Sequence, residues 1–478
     1  MKMNPPSKML STEWSNPNLW LLFAARFIRM TSYGALTNVL LRYFTVIGLS
    51  AKDVGFILTG ILLGDLCITL FLTTRADLMG RKLVLVIGSA LKALAGITFA
   101  RATSFYWLLA AGIVGVISPA GVEVGPFLAT EQAALTDVIV RTHTDSSPTN
   151  ESHDQYTSVR SSLDVTSRVA EIFGWYNAMG YAALAVGNSL GGLFMQYLVK
   201  ENGELFAFRM MFYLYAIMAG FMAFLYNYLS SEIEAEIVGI PLTHSSPAST
   251  SLQPLEWYYF GLKSYRSFVI VRRLSFLFAM DAFAGGFAMQ TAIVVWLAER
   301  WDFRYADMGI ILSAANLASG ISTIAAGYFV KWLGAVPTMV YTHLPAQVLL
   351  ILVPMMPTAH SAALMLVFRF CISQMDVPAR QAYVSTVVAS SERSAASGIT
   401  NVVRSLGLSL APFPLAYLQS KPPLSFAFSS TFYICGVIKC VYDITLYVAY
   451  VLAVKPQDVI TQATEEQPLI AQDDTIDD

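Results

Sequence analysis

Eight ionisable side chains stand inside long apolar runs of this sequence: Arg26, Arg29, Asp65, Glu123, Asp281, Asp376, Arg380 and Arg404. In a membrane-spanning helix each would cost about 2.5–3.5 kcal/mol near the bilayer centre, so each needs a partner or a water-filled cavity. A carboxyl group set between burial and a nearby arginine exchanges a proton when either influence changes. The chemistry on offer is therefore the binding of charged groups and of protons. Two segments concentrate it. GVEVGPFLATEQ (121–132) and QMDVPARQAY (374–383) each join an acid, a proline and polar residues. Pro126 and Pro378 interrupt backbone hydrogen bonding, which at membrane depth is tolerated only beside other protein or water. We expect Glu123 or Asp376 to be a protonation switch, with Arg26, Arg29, Asp65, Asp281 and Arg380 as further candidates for binding solute or protons. Glu131 is expected at the membrane edge and solvated. Lys92, Lys439 and Asp443 are expected to snorkel or to form structural pairs.

The elements that must position these groups follow from composition. Of 478 residues 55% are hydrophobic and 13% charged, with a mean hydropathy of +0.56, against about 25% charged residues in a soluble domain. Apolar runs recur at about 20 residues, the length that crosses a bilayer core of about 30 Å. We expect an all-α membrane protein with twelve transmembrane helices, near 18–47, 53–74, 82–101, 105–131, 170–199, 206–229, 273–298, 306–331, 337–356, 361–386, 396–419 and 427–453. Barrel strands would appear as short alternating segments, which these continuous runs are not. The first run carries Arg26 and Arg29 and is expected to remain as a signal anchor. All four cysteines (Cys67, Cys371, Cys435 and Cys440) fall within apolar runs and are expected to be packing residues.

Polar stretches divide the chain. We expect an N-terminal tail over 1–17, a first six-helix bundle over 18–230 with a flexible loop at 137–169, a linker over 231–272, a second bundle over 273–454 and an acidic tail over 455–478. Basic residues gather in the loops after even-numbered spans, which places those loops and both termini in the cytosol by the positive-inside rule. The sequon Asn150-Glu151-Ser152 would then lie on the cytosolic side, unmodified. The halves resemble each other. AKDVGFIL (51–58) aligns with YADMGIIL (305–312) at an offset of 307 − 53 = 254, and the same offset carries Gly80 onto Gly334. Two six-helix pseudo-repeats are an arrangement of secondary transporters.

TTRADLMGRK (73–82) sets Arg75, Asp77, Arg81 and Lys82 between two apolar runs. It resembles the loop signature of the major facilitator superfamily, Gly-x-x-x-Asp-Arg-x-Gly-Arg-Arg/Lys, which follows the second of twelve helices. Asp77, Gly80, Arg81 and Lys82 match, while Thr73 and Leu78 depart from it. The resemblance implies that Asp77, Gly80, Arg81 and Lys82, with Arg404, form a conformational latch between the halves; the alternative is that the basic residues only set topology. It also implies that helices one, four, seven and ten line a central cavity. Gly187, Gly191 and Gly192 resemble the fifth-helix Gly-Pro-x-x-Gly-Gly element of drug antiporters, with Asn188 in the proline's place.

Other chemistries lack support. Gly187-Asn188-Ser189-Leu190-Gly191 has the spacing of a hydrolase nucleophile elbow but lies in an apolar helix, not a strand–turn–helix. There is no ATP-binding Gly-x-x-x-x-Gly-Lys-Ser/Thr loop and no His-Glu-x-x-His pair. No cofactor, metal or nucleic acid is expected. The sequence predicts a secondary transporter, not an enzyme, acting on a small solute and protons in the lipid bilayer as a monomer. Proton-linked efflux of organic compounds leads; uptake or exchange of a small anion, or a transport-inactive receptor, are the alternatives. Finally, EEQPLI (465–470) resembles the acidic dileucine sorting signal, with Glu465, Leu469 and Ile470 at the required places. It predicts a sorting adaptor as partner and an endosomal, vacuolar or lysosomal membrane, with the plasma membrane next.

Overall fold

The computed structural model describes residues 14–115, 117–119, 126–145, 155–234, 262, 265–388 and 393–449. These residues are α-helical throughout, apart from short turns and caps, with no strand among them. The first half contains α1 (Pro17–Thr37), α2 (Leu40–Val46), α3 (Ala51–Met79), α4 (Arg81–Arg101), α5 (Phe105–Val114), α6 (Phe127–Asp145), α7 (Gln155–Asn202) and α8 (Glu204–Asn227). The second contains α9 (Tyr265–Gly286), α10 (Gln290–Trp301), α11 (Tyr305–Leu333), α12 (Ala335–Leu352), α13 (Ala359–Ser373), α14 (Asp376–Thr386), α15 (Arg393–Ser409), α16 (Pro412–Gln419) and α17 (Phe426–Tyr447).

Nine helical stretches among the described residues are long and apolar enough to cross a membrane. The expected spans 18–47, 105–131 and 396–419 are not among them; each comprises two helical pieces, α1 with α2, α5 with α6, and α15 with α16. The polar stretch 137–169, expected as a loop, is helical at both ends. α6 runs on to Asp145, and α7 begins at Gln155, well before the apolar run that seeds it. Helix propagation from an apolar span needs only one further hydrogen bond per residue, so polar residues prolong it.

The repeat inferred from an offset of 254 is present in the backbone. α3 and α11 are both 29 residues long, and their starts and ends differ by 305 − 51 = 254 and 333 − 79 = 254. Each ends on a glycine with positive φ, Gly80 at +95° and Gly334 at +88°, and the next helix begins one residue later. A side chain would be strained in that backbone region, which is why both corners carry glycine. Packing repeats as well: α1 lies on α7 as α9 lies on α15, and α4 on α8 as α12 on α17.

We call the end bearing Gly80 and Gly334 the loop end, and the opposite end the far end. The halves meet along two seams, α7 with α11 and α3 with α15 and α16. At the far end the seams are closed backbone to backbone. A Cβ on Gly309 would lie 2.3 Å from the Asn188 carbonyl oxygen, and one on Gly192 2.5 Å from that of Tyr305. Ser313 donates to the Ala185 carbonyl oxygen and lies 2.5 Å from Ser189 Oγ. Small residues permit such approach in lipid, where packing rather than hydrophobicity joins helices.

Candidate functional site

The first half holds a closed ionic cluster. Glu131 on α6 accepts from Arg29 Nη1 at 2.8 Å and Nη2 at 2.6 Å, from the Tyr226 hydroxyl at 2.6 Å and from the Tyr176 hydroxyl. Neither Arg29 nor Glu131 exposes any side-chain surface. Four donors on two carboxylate oxygens satisfy the buried charge and tie α1, α6, α7 and α8 together. Glu131 is thus not solvated. The expectation of solvation arose because the apolar run ends beside it in sequence, whereas Tyr176 and Tyr226 arrive from distant helices. Arg26, one turn before Arg29, stacks over the Tyr176 ring at 3.9 Å and donates to Asn177 Oδ1 at 3.2 Å. Lys92 on α4 is buried and does not snorkel: it donates to Ser32 Oγ at 2.7 Å and faces the rings of Tyr33 and Tyr215 at 4.1 and 4.6 Å. Asp65, mid-way along α3, lies within electrostatic reach of Tyr215.

The second half holds a larger cluster centred on Asp281 of α9. Lys439 Nζ of α17 donates to Asp281 Oδ1 at 2.5 Å, and Arg380 Nη1 of α14 stands 3.6 Å from Oδ2. Arg380 also pairs with Asp376 at 3.2 Å, one helical turn before it. His343 on α12 places Nε2 3.9 Å from Asp281 and Nδ1 3.0 Å from both carboxylate oxygens of Asp443. Arg404 on α15 lies within electrostatic reach of Arg380, Asp281 and Asp376. Asp376 is the first residue of α14, where the helix N-terminus favours a negative charge. α13 and α14 are separate helices around Gln374 and Met375, so this segment is interrupted beside its charges as the sequence predicts.

The loop-end residues bind one another's backbone within the first half. Arg81 ion-pairs with Asp137 of α6 at 2.6 Å. Glu234 accepts from the backbone N–H of Arg81 at 2.6 Å and of Lys82 at 3.2 Å. Its carboxylate therefore caps the N-terminus of α4, where unpaired N–H groups and the helix dipole attract an anion. Lys82 Nζ donates to the carbonyl oxygens of Asn227 and Leu229 at 2.7 and 3.1 Å. At the far end Tyr305 donates to Glu204 at 3.1 Å, and Arg42 pairs with the same carboxylate at 3.3 Å.

The structure thus brings Asp281, Asp376, Arg380 and Arg404 together, and separately Arg29 with Arg26. Glu123 and the sorting residues Glu465, Leu469 and Ile470 lie outside the described residues, as does the Asp77 side chain. Sequence reasoning missed His343, Arg369, Tyr176, Tyr226, Asp137 and Glu234. A signal existed for His343, a histidine inside an apolar run of a chain with five. The tyrosines carry none, being ordinary in apolar helices.

Two pseudo-symmetric helical bundles with buried charges are an arrangement of membrane transport proteins. The sequence pattern of the Major Facilitator Superfamily matches residues 21–412, and the chain belongs to that family. It is 24% identical over 435 residues to the uncharacterized membrane protein YJR124C of Saccharomyces cerevisiae, covering 85% of this chain and 89% of the yeast one. It is 23% identical over 402 residues to the quinolone resistance protein NorA of Staphylococcus aureus, covering 83% and 88%. Among solved structures it resembles the nucleoside transporter NupG, with a TM-score of 0.65 at 13% identity over 92% of this chain and all of that one. It also resembles a bacterial homologue of the human lysosomal transporter Spinster in an inward-facing, occupied conformation, with a TM-score of 0.64 at 14% identity over 90% and 96%.

Proposed function

We propose that this transporter works by alternating access, coupled to protons, and exports small organic compounds. The observation that carries this reading is the Asp281 cluster. One carboxylate is contested by Lys439, Arg380 and His343, which reach it from three different helices of the second half. A buried charge with interchangeable partners suits a site that loads and unloads a proton between two states. In this reading Asp376, held by Arg380, or Glu123 takes the coupled proton, and Arg26 and Asp65 contact solute. Arg81, Lys82 and Asp77 govern the balance between states without touching it. Likeness to NorA favours efflux of organic molecules.

Uptake or exchange of an anion is the second reading, and one observation favours it. Arg369 on α13 is buried and, among the described residues, makes no ion pair. The tail signal Glu465, Leu469 and Ile470 directs the protein, in our reading, through a sorting adaptor to an endosomal, vacuolar or lysosomal membrane, where it acts as a monomer.

The test is transport by purified protein in proteoliposomes with an imposed pH gradient and a fluorescent quinolone as probe. Proton-driven accumulation that disappears in Asp376→Asn is expected. Flux of organic anions with no response to the pH gradient would favour the second reading.

A further inference from the structure

We propose that a cleft between α9 and α17 is a binding site for one phospholipid with an anionic headgroup. The site is separate from the ionic clusters and independent of what the protein transports.

The cleft has a volume of about 470 Å³, within the range of about 300–1,000 Å³ of small-molecule sites. Arg272, Arg273, Phe276 and Leu277 of α9 line it, with Thr445 and Ala449 at the end of α17. One contact fixes its place in the bundle. Tyr341, in the second turn of α12, meets Tyr447, the last residue of α17, hydroxyl to hydroxyl at 3.1 Å. Because α12 starts at the Gly334 corner, the end of α17 and the cleft beside it lie at the loop end. The positive-inside reading puts that end in the cytosol, on the side whose leaflet carries anionic lipids.

Charge and apolar surface are ordered along the cleft as they are along a phospholipid. Arg272 precedes Phe276, and Arg273 precedes Leu277, by one helical turn of about 5.4 Å. Each arginine therefore stands above an apolar residue on one stripe of α9. Helical side chains lean towards the N-terminus, which carries both guanidinium groups away from the apolar pair and towards the headgroup region. Both arginines are exposed. Arg272 lies over the Phe268 ring at 5.7 Å, and among the described residues neither arginine pairs with an acid. Two like charges at one rim call for an anion between them, and a phosphate accepts from both in the fork geometry that arginine offers.

Below the rim the walls are apolar. Phe276 is largely exposed, and Val441, Ile444 and Val448 continue an exposed apolar face along α17. Water finds few hydrogen-bond partners in such a cleft, and an empty one forfeits the contacts of its lining. An acyl chain supplies them. A purely topological arginine needs no such cleft beneath it. α9 and α17 are also the helices joined by Asp281 and Lys439, so a lipid seated between them at the loop end braces the same pair.

The experiment is native mass spectrometry of the full chain released from detergent micelles. The protein is titrated with phosphatidylserine and, separately, with phosphatidylcholine of the same acyl chains. We expect one phosphatidylserine to bind at concentrations where phosphatidylcholine does not. Arg272→Gln with Arg273→Gln should weaken that binding by about tenfold or more. Thr445→Trp, which fills the cleft and leaves both arginines in place, should weaken it similarly. Lys331→Gln removes another exposed cation at the same end and should leave binding unchanged. Folding of each variant is checked by size-exclusion elution and melting. The wild type gives a further reading: phosphatidylserine with a photoactivatable acyl chain should crosslink to peptides spanning 272–277 and 445–449. Equal binding of the two lipids, an equal loss in Lys331→Gln, full binding in Thr445→Trp, or crosslinks confined to other helices would overturn the proposal, leaving the arginines as topology determinants. Displacement of the lipid by millimolar inorganic phosphate would overturn it as well, since the arginines would then hold a free anion.

Discussion

Glu131 accepts both terminal guanidinium nitrogens of Arg29, at 2.8 and 2.6 Å, with neither side chain reaching solvent. A buried ion pair is weak evidence of net stability, but breaking one leaves an uncompensated charge, at a cost of about 3–5 kcal/mol. Glu131→Gln should therefore lower the melting temperature of the purified protein markedly. Combining it with Arg29→Met should recover much of the loss, because the stranded charge is gone. If Glu131→Gln melts like the wild type, the cluster is not the clamp described above.

Glu234 caps α4 at the corner where Gly80 has φ +95°, and a Cβ on Gly80 would lie 3.4 Å from the Glu234 carboxylate oxygens. Gly80→Ala should cost about 1–3 kcal/mol through backbone strain. Glu234→Gln and Asp77→Asn should slow turnover in proteoliposomes while leaving affinity for a quinolone within a few-fold. Abolished binding with undisturbed exchange between states would contradict a latch at this corner.

Gly309→Ala places a methyl group against the Asn188 carbonyl oxygen, where neither backbone can yield cheaply. The far-end seam should open. In a background with the four native cysteines replaced, a cysteine at Ser313 should react slowly with maleimide, and faster once Gly309→Ala is added. Equal rates would mean that this contact does not hold the halves together.

The tail carries a prediction of its own. Leu469→Ala with Ile470→Ala should move a tagged protein from internal membranes to the cell surface, seen by microscopy in a eukaryotic host. Unchanged location in the double mutant would make the motif inert.

What the sequence disclosed, and what it hid, follow from the range of the forces involved. The repeat was legible because a helix of fixed length between glycine corners writes its period into the chain, so the 254-residue offset of Asp53 and Asp307 reappears in α3 and α11. The gathering of Asp281, Asp376 and Arg380 was foreseeable, since a charge in an apolar run must find a partner. Which partner it finds depends on helix packing between distant segments. Lys439 reaches Asp281 across 158 positions, and Tyr226 reaches Glu131 across 95. No local pattern encodes those distances. Glu131 was misread for that reason, and Asp137 and Glu234 were overlooked because charged residues beyond the apolar runs look like solvated surface.

Alternating access is the centre of the account, and distance measurement by double electron–electron resonance tests it most directly. Spin labels at Leu83 and Trp332 report the loop end across the two halves, and labels at Tyr106 and Leu424 the far end; all four side chains are exposed. On a change of pH, or on addition of a quinolone, the account predicts that one distance shortens as the other lengthens. Two distances that stay fixed under every condition, or that rise and fall together, would contradict it.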